Sequence, residues 1–532
     1  MMTKKKLANN QYISWIVFFI AIIFIAVPWF SIQSQYLVNG NISWLLMAAE
    51  RLLDGQSLSQ HIYETNPPLS ILIYIPHVLF SKALNLPPPV GSFYLTSIFV
   101  IISTLATYSI IKNFTFLNNT EKKSFILGYI ISITLITTLF FSDREHFIIM
   151  ALIPFVLCQY ALTHRINIPK ALLITVMIIG AIAILIKPHY GLIPTVFLID
   201  RMIKQKRFNI FFDIDFIALS SITLLYIGII FAFFPDYIQI IFPDVLNLYM
   251  ANKQPNIALK SIQLHLFLNV ILLFTELFRE DLSKEKKRFL LFLYSCAALC
   301  FIPYFVQMKG FYNHIIPIYA FFICAITLSI TFRAEKWFKN YKILHFIIPF
   351  IVILLISAII SPLNKDFPKY SDIPNLPVGK FLEKECPKPC TFFVFHGDIE
   401  IFNPTAVYMG YTHASRFPSL WFLPRILGEL TIDNQNNKYK TLKDKYTRYI
   451  IEDIEHYKPS IILIAKDIPI GNIKAFNFIE FFGENKRLKD ILTNEYSQES
   501  IFKFDRKEYF KGTTLDETYI LKYYIYKRKP NI

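Results

Sequence analysis

Apolar stretches of about 18 residues, each long enough to cross roughly 30 Å of hydrocarbon as a helix, recur from Tyr12 to Ile360. The 532-residue chain is 54% hydrophobic and only 17% charged, which is unlike a soluble enzyme. In lipid, a helix satisfies all its backbone polar groups internally. The pattern therefore predicts a mainly α, polytopic transmembrane helix bundle.

The basic residues predict the orientation of this bundle. The formal net charge of +16 is dispersed over short loops between apolar stretches. This follows the positive-inside rule and indicates no nucleic-acid partner. The apolar run Ile13–Phe30 is too long for the apolar region of a signal peptide, so we expect it to remain as the first helix, with Lys4, Lys5 and Lys6 in the cytoplasm.

About eleven spans follow if every basic loop is cytoplasmic. They are Ile13–Phe30, Ser92–Ile111, Ser124–Phe141, Phe147–Ala161, Ala171–Ile186, Gly191–Ile203, Ile210–Phe233, Ile262–Phe278, Phe289–Val306, Ile315–Thr331 and Ile343–Ile360. The short run Leu69–Phe80 contains Pro76, and we interpret it as an interfacial helix on the external face. The C-terminus is then external.

Two domains are predicted. Residues 1–360 form the transmembrane domain, with 32–91 as a first external loop carrying interfacial helices, and 361–532 form an external, periplasmic α/β domain. That domain is indicated by two strand patterns flanking an amphipathic helix, namely Thr391–Phe395, Ser460–Ala465 and Tyr439–Tyr457.

Cys386 and Cys390 lie close together in the predicted external domain. A zinc site needs two further ligands that the sequence does not offer. An oxidising compartment favours a disulfide over two free thiols.

Unusual polar residues collect in all five predicted external loops. The first carries Asn41, Glu50, Arg51, Asp54, His61 and Glu64; the second Asp143, Arg144, Glu145 and His146; the third Lys187 and His189; the fourth Asp236, Asp244 and Tyr249; the fifth Lys309, Tyr312, Asn313 and His314. Charges at span ends often only snorkel to the interface. Five clusters on one face nevertheless predict a polar cavity flanked by lipid.

The residue types in these loops suit chemistry on a phosphate ester. The cationic and imidazole side chains stabilise a phosphate leaving group; these are Arg144, His146, Lys187, His189, Lys309 and His314. Glu64, Asp143 and Glu145 can accept a proton from an attacking group. With a histidine, the carboxylates could also hold Mg²⁺ or Mn²⁺, although the spacing demands no metal and implies no other cofactor.

The first external loop carries a motif-level resemblance. An amphipathic helix ending in Leu52-Leu53-Asp54-Gly55 is followed by Pro67-Pro68-Leu69. This arrangement resembles the GT-C superfamily of polytopic glycosyltransferases, in the branch of the lipid A aminoarabinose transferase and the protein O-mannosyltransferases. The resemblance implies that Asp143, at the external end of the third helix, is the second acidic position of that family.

Two positions depart from the family pattern. Asn41 stands where the family usually places its catalytic Asp, and Asn66 replaces the lysine that often precedes Pro-Pro-Leu. Asn cannot act as a base, although it can position a substrate by hydrogen bonds. Either Glu64 or Asp143 has taken over as base, or the protein binds without transfer.

The sequence thus predicts a glycosyltransferase of the bacterial inner membrane. It would move a hexosyl or pentosyl group, with inversion, from a polyprenyl-phosphate donor to an envelope lipid or polysaccharide, such as lipopolysaccharide, on the periplasmic side. Asp143 or Glu64 would be catalytic, and the substrate-binding set would be Asn41, Arg144, Glu145, His146, Lys187, His189, Tyr249, Lys309 and His314.

The alternative is a non-catalytic transporter, flippase or scaffold for lipid-linked sugars. Asn41 favours it, because a carboxylate is missing at that position. A transporter is expected to carry polar or broken helices through mid-membrane. The one-sided polar clusters favour the enzyme.

Overall fold

The computed structural model describes residues 2–360, 368–386, 388–470, 473–509 and 520–530. The α-helices of the N-terminal part are α1 (Met2–Gln33), α2 (Gly40–Leu53), α3 (Leu69–Leu72), α4 (Ile75–Ala83), α5 (Pro88–Ile111), α6 (Asn119–Ile133), α7 (Arg144–Thr163), α8 (Lys170–Ile186), α9 (Leu192–Gln205), α10 (Ile214–Phe233), α11 (Phe242–Asp244), α12 (Pro255–Leu277), α13 (Lys284–Gln307), α14 (Ile316–Trp337) and α15 (Leu344–Ile360). They are followed by α16 (Pro377–Glu385), α17 (Phe402–Met409), α18 (Leu423–Ile432), α19 (Asn437–Tyr457), α20 (Phe478–Gly483) and α21 (Lys486–Asn494).

Six β-strands lie in the C-terminal part: β1 (Thr391–Phe395), β2 (Thr412–His413), β3 (Ile461–Ile470), β4 (Ile473–Asn477), β5 (Tyr496–Asp505) and β6 (Ile520–Arg528). The predicted architecture, a mainly α polytopic bundle followed by a part with both helices and strands, is confirmed. Each of the eleven predicted spans corresponds to one helix.

The chain divides into two compact units, and both are discontinuous in sequence. Unit 1 comprises residues 1–34, 93–228 and 253–363, and unit 2 comprises 35–92, 229–252 and 364–532. By their contacts, residues 35–92 and 229–252 therefore belong with the C-terminal residues.

Unit 1 is built around α14, which packs against α6, α7, α13 and α15. Close approach of α6 and α14 depends on Gly128, because a Cβ there would lie 2.5 Å from Thr327 Oγ1. Ser132 Oγ donates to the Ala320 carbonyl at 3.2 Å across the same contact. Small and hydroxylated residues allow helix backbones to approach in this way.

Apolar side chains on the outer helices face away from the protein. Seven described helices are long and apolar enough to cross a membrane, and three shorter apolar helices accompany them. In the most apolar 18-residue stretch of each helix, 89% of the α14 stretch is buried inside the protein, whereas only 17% of the α10 and α12 stretches is buried. Phe24, Leu105, Leu224 and Phe267 are exposed on such outer helices. A bundle with an apolar exterior is what a lipid environment favours.

Helix α6 ends earlier than the predicted span Ser124–Phe141. It stops at Ile133, and a 3₁₀ turn follows at Thr138–Phe140. Thr134 Oγ1 donates to the Ile130 carbonyl at 2.7 Å, and Thr137 Oγ1 to the Thr134 carbonyl at 3.1 Å. These hydroxyls bond main-chain carbonyls in place of the regular helical hydrogen bonds, so the helix ends although the apolar sequence continues.

Unit 2 contains a mixed sheet in the order β2-β1-β3-β6-β5, with β4 paired to β3. Strand β1 is parallel to β2 and β3, and the remaining pairs are antiparallel. The predicted strand Thr391–Phe395 and the helix predicted at Tyr439–Tyr457 are found as β1 and α19. Cys386 and Cys390 form the predicted disulfide.

Helix α2 packs against α17 within unit 2. Its first residue, Gly40, is required by this approach, because a Cβ would lie 2.4 Å from the Ile399 carbonyl oxygen. The Gly40 amide donates to Glu400 Oε2 at 2.7 Å. A carboxylate at a helix N-terminus is favourably placed in the field of the helix dipole. The predicted interfacial run Leu69–Phe80 forms α3 and part of α4 in the same unit.

Candidate active site

The N-terminus of α7 sets the geometry of the second polar cluster. Asp143 is the N-cap residue, and its Oδ1 accepts a hydrogen bond from the Arg144 amide at 2.6 Å. Ser142, with φ of 72°, turns the chain into the helix. Buried His146 holds this turn, since its Nδ1 accepts from the Ser142 amide at 3.1 Å and its Nε2 donates to the Ile133 carbonyl at 2.9 Å. Both ring nitrogens of His146 are thus committed to the main chain.

Glu145 is the centre of the cluster. Its side chain is fully buried, and Oε1 accepts hydrogen bonds from Lys187 Nζ and, at 3.2 Å, from Asn313 Nδ2. His314 Nε2 lies 3.8 Å from the same oxygen. These partners follow α8 and α13 in the chain, so the second, third and fifth predicted polar clusters meet at this carboxylate.

Several polar atoms of the cluster are buried without a hydrogen-bond partner among the described residues. They are Asp143 Oδ2, Glu145 Oε2 and His314 Nδ1. Burial raises the pKa of Asp143, and the neighbouring Glu145 carboxylate raises it further. Buried polar atoms are normally hydrogen-bonded, so a group of such atoms around ionised side chains is what a site for a polar ligand requires.

Two further predicted site residues, His189 and Lys309, also lie in unit 1. His189 Nε2 lies 3.1 Å from Gln307 Nε2 and accepts its hydrogen bond, because burial, then nearby Lys187, lowers the pKa of His189 to about 4. Lys309 is 5% exposed, and burial, with Lys253 nearby, lowers its pKa to about 8. Gly310, with φ of 74°, permits the turn that follows.

Asn313 and Gln307 were not among the predicted site residues. Asn313 contacts Glu145, and Gln307 contacts His189. The sequence offered one signal, since both belong to the same polar segment as Lys309 and His314. Uncharged amides carry little weight in a sequence, although they hydrogen-bond well once buried.

Glu64, the other predicted catalytic carboxylate, lies in unit 2. Its Oε2 accepts from Trp44 Nε1 at 2.7 Å, and its Oε1 accepts from the amide and side chain of Asn66 at 2.9 and 2.5 Å. Asn41 is half-buried in the first turn of α2, whose N-cap is Asn39. Both Glu64 oxygens are therefore occupied by groups of the same unit.

The first and fourth polar segments meet each other in unit 2. Tyr63 donates to Asp244 Oδ2 at 2.5 Å, and Tyr446 donates to the same oxygen at 2.9 Å. Half-buried Tyr249 lies beside Trp421, with ring centroids 6.1 Å apart. Arg51 reaches three carbonyls, those of His61 at 2.9 Å, Ser415 at 2.7 Å and His413 at 2.5 Å. Through these contacts the first polar segment packs against α19 and the sheet.

The carboxylates and histidines named above as possible ligands of Mg²⁺ or Mn²⁺ do not form a metal site among the described residues. Among the described residues, no three His, Cys, Asp or Glu side chains group closely enough to hold a metal ion. Glu145 is instead paired with the Lys187 ammonium. The residues present therefore do not fit Mg²⁺ or Mn²⁺.

No protein-family model and no curated protein matches the chain. Two similar solved structures are crystal structures of ArnT, the lipid A aminoarabinose transferase, from Cupriavidus metallidurans. The apo structure is 10% identical, covers 97% of this chain and 98% of that chain, and has a TM-score of 0.49. The structure bound to undecaprenyl phosphate is 12% identical, covers 96% and 98%, and has a TM-score of 0.45. Both structures are of an enzyme from the branch that the first external loop resembles.

Proposed function

We propose that this protein is a glycosyltransferase of the bacterial inner membrane that uses a polyprenyl-phosphate sugar as donor. The acceptor would be an envelope lipid or glycan on the periplasmic side. The observation that carries the proposal is the buried cluster around Glu145, where polar side chains from three separate segments meet at the N-terminal end of α7.

The composition of this cluster suits a phosphate leaving group. Arg144 and Lys187 supply positive charge, and the N-terminus of α7 contributes its helix dipole. Lys309 and His314 complete the proposed phosphate-binding set, with Glu145 and His146 orienting it and His189 at its edge. In a buried site these charges act strongly on the negative charge that develops as the phosphate departs.

Asp143 is the proposed general base. It lies beside Arg144, with 3.5 Å between Oδ1 and Nε, and its Oδ2 makes no hydrogen bond to a described residue. A raised pKa brings a carboxylate closer to the range in which proton transfer is efficient. Glu64 is the second candidate, although both its oxygens already accept hydrogen bonds.

The proposed reaction is a single displacement. The acceptor oxygen attacks the anomeric carbon of the sugar while its proton passes to Asp143. The bond between that carbon and the phosphate oxygen breaks, and polyprenyl phosphate leaves with the bonding electrons. Attack opposite the leaving group inverts the anomeric centre. The predicted substrate contacts Asn41 and Tyr249 belong to unit 2.

The proposed topology places the N-terminus in the cytoplasm and residues 361–532, together with the first external loop, in the periplasm. Fusion of alkaline phosphatase after residue 530 tests this arrangement. We expect an active fusion, because the enzyme matures only in an oxidising compartment. An inactive but expressed fusion would reverse the orientation.

The central experiment measures sugar transfer by the purified protein in detergent. A panel of polyprenyl-phosphate sugars is offered with an envelope lipid extract, to wild type and to Asp143→Asn, Glu64→Gln and Asp433→Asn. Asp433 is an exposed carboxylate of unit 2 and serves as the matched control. We expect transfer to vanish in Asp143→Asn and to persist in Asp433→Asn, with unchanged melting temperatures. A wild type that binds donors but transfers none would instead indicate a transporter or scaffold.

A further inference from the structure

A cavity in unit 1 lies between α7, α9 and α13, and none of the residues of the Glu145 cluster line it. Its volume is about 740 Å³. One rim is basic, because four cationic side chains and a single carboxylate line it: Lys204, Lys284, Lys287, Arg288 and Asp200. All of them belong to loops or helix ends that the charge pattern assigns to the cytoplasm.

Only part of this positive charge is balanced within the cavity lining. Lys204 Nζ pairs with Asp200 Oδ2 at 2.7 Å. Arg288 Nη1 donates to His164 Nδ1 at 3.4 Å. Burial, followed by the charges of Arg288 and Lys204, lowers the pKa of His164 to about 4, so its ring is neutral at physiological pH. The histidine therefore orients Arg288 without adding or removing charge.

The walls below the rim are apolar and aromatic. The ring of Phe292 lies 4.6 Å from that of Phe197 and 4.9 Å from that of Tyr160, measured between centroids. Ser295 and Ala298 also line the cavity, and their small size leaves its space open.

The lining follows one face of α13. Lys284, Arg288, Leu291, Ser295 and Ala298 recur at intervals of three and four residues, which places them in one row. The row is about 21 Å long, since each residue adds about 1.5 Å. One leaflet of hydrocarbon is about 15 Å deep. A charged rim above an apolar groove of this length matches an amphiphile lying in a single leaflet.

We infer that this cavity binds an anionic glycerophospholipid, with its phosphate among Lys284, Lys287 and Arg288 and an acyl chain along Phe292 and Ala298. Basic pockets between transmembrane helices on the cytoplasmic side are suited to anionic lipid headgroups. Basic residues that only orient a protein in the membrane are dispersed over its loops and do not surround a cavity. Here the charges surround a cavity whose walls continue as an apolar groove.

Native mass spectrometry of the detergent-purified protein tests the inference. The protein is mixed with equal amounts of phosphatidylglycerol and phosphatidylcholine, and bound lipid is counted for wild type, Lys284→Gln/Lys287→Gln and Ala298→Leu. Lys339→Gln/Lys342→Gln is the matched control, because these exposed lysines belong to another predicted cytoplasmic loop and do not line the cavity.

We expect wild type and the control to prefer phosphatidylglycerol. In the lining double variant, the preference for phosphatidylglycerol should fall about thirtyfold, because two cationic contacts are lost. Ala298→Leu should reduce the binding of both lipids. Equal loss in the control, or no preference in wild type, would overturn the inference. Displacement of the lipid by excess inorganic phosphate would also overturn it, since the site would then recognise the free anion. None of these readouts depends on glycosyl transfer.

Discussion

The pair formed by Lys187 and Glu145 provides a quantitative test of how the polar cluster is held together. Lys187→Met removes the ammonium while keeping a side chain of similar length. Glu145 is fully buried, and the other polar neighbours of its Oε1 are the Asn313 amide at 3.2 Å and the His314 imidazole nitrogen at 3.8 Å. Removing one partner of a buried ion pair leaves an uncompensated charge and costs about 3–5 kcal/mol. We therefore expect Lys187→Met to lower the free energy of unfolding by that amount.

A double-mutant cycle separates the pair from its surroundings. Glu145→Gln removes the charge that Lys187→Met leaves behind, so the double variant should be about 2 kcal/mol more stable than Lys187→Met alone. The assay is equilibrium unfolding in detergent micelles, followed by circular dichroism. Lys339→Met, at an exposed position, is the control and should change stability by no more than about 0.5 kcal/mol.

Two results would refute this reasoning. If Lys187→Met lies within about 1 kcal/mol of wild type, Glu145 is not a charged, buried partner. If the two substitutions are additive, with a coupling below about 0.5 kcal/mol, the ammonium and the carboxylate do not stabilise each other. The cycle uses no substrate, so its outcome is independent of the proposed transfer reaction.

Other substitutions test other parts of the molecule. Because the pKa of Lys309 is about 8, the KM for donor should rise as the pH increases through that value. The Lys309→Arg variant stays charged and should not show this rise. The same rise in the arginine variant would contradict a phosphate contact of Lys309. Arg51→Lys cannot reach three carbonyls at once, and we expect a loss of about 1.5–3 kcal/mol, seen as faster proteolysis of unit 2, with unchanged proteolysis as the contrary result. Gly180→Val should destabilise the α7–α8 contact by roughly 1–3 kcal/mol, because a Cβ at Gly180 would lie 2.3 Å from Phe155 Cδ2. Gly228→Val is the control, since a Cβ at Gly228 meets nothing within 4 Å. Equal melting temperatures for the two variants would contradict the predicted clash.

The apolar helices were predictable because their signal is local. A stretch such as Ala171–Ile186 contains its own evidence for a helix, and α8 differs from it by one residue. Helix α13 begins five residues before the predicted Phe289, since Ser283 caps it through the Lys286 amide at 3.3 Å. Boundaries made by caps and charged first turns are invisible to a search for apolar runs.

Part of the cluster around Glu145 was predictable from the sequence. Asp143, Lys187 and His314 stand out because several polar clusters lie at the same predicted ends of the apolar helices, which snorkelling of single charges does not explain. The sequence did not show that His146 supports the backbone turn rather than facing a ligand. That distinction depends on whether both ring nitrogens find main-chain partners, which the order of residues does not reveal.

The sequence by itself determined that the chain forms apolar helices, and it predicts basic loops on one side and polar clusters on the other. Each of these properties depends on neighbouring residues, through helix periodicity, hydrophobic transfer and charge. Only the tertiary structure decided which clusters meet: Glu145 with Lys187 and His314 in unit 1, and Tyr63 with Asp244 in unit 2. Contacts between residues so far apart depend on how side chains of many helices pack, and packing is a property of shape that no single segment specifies.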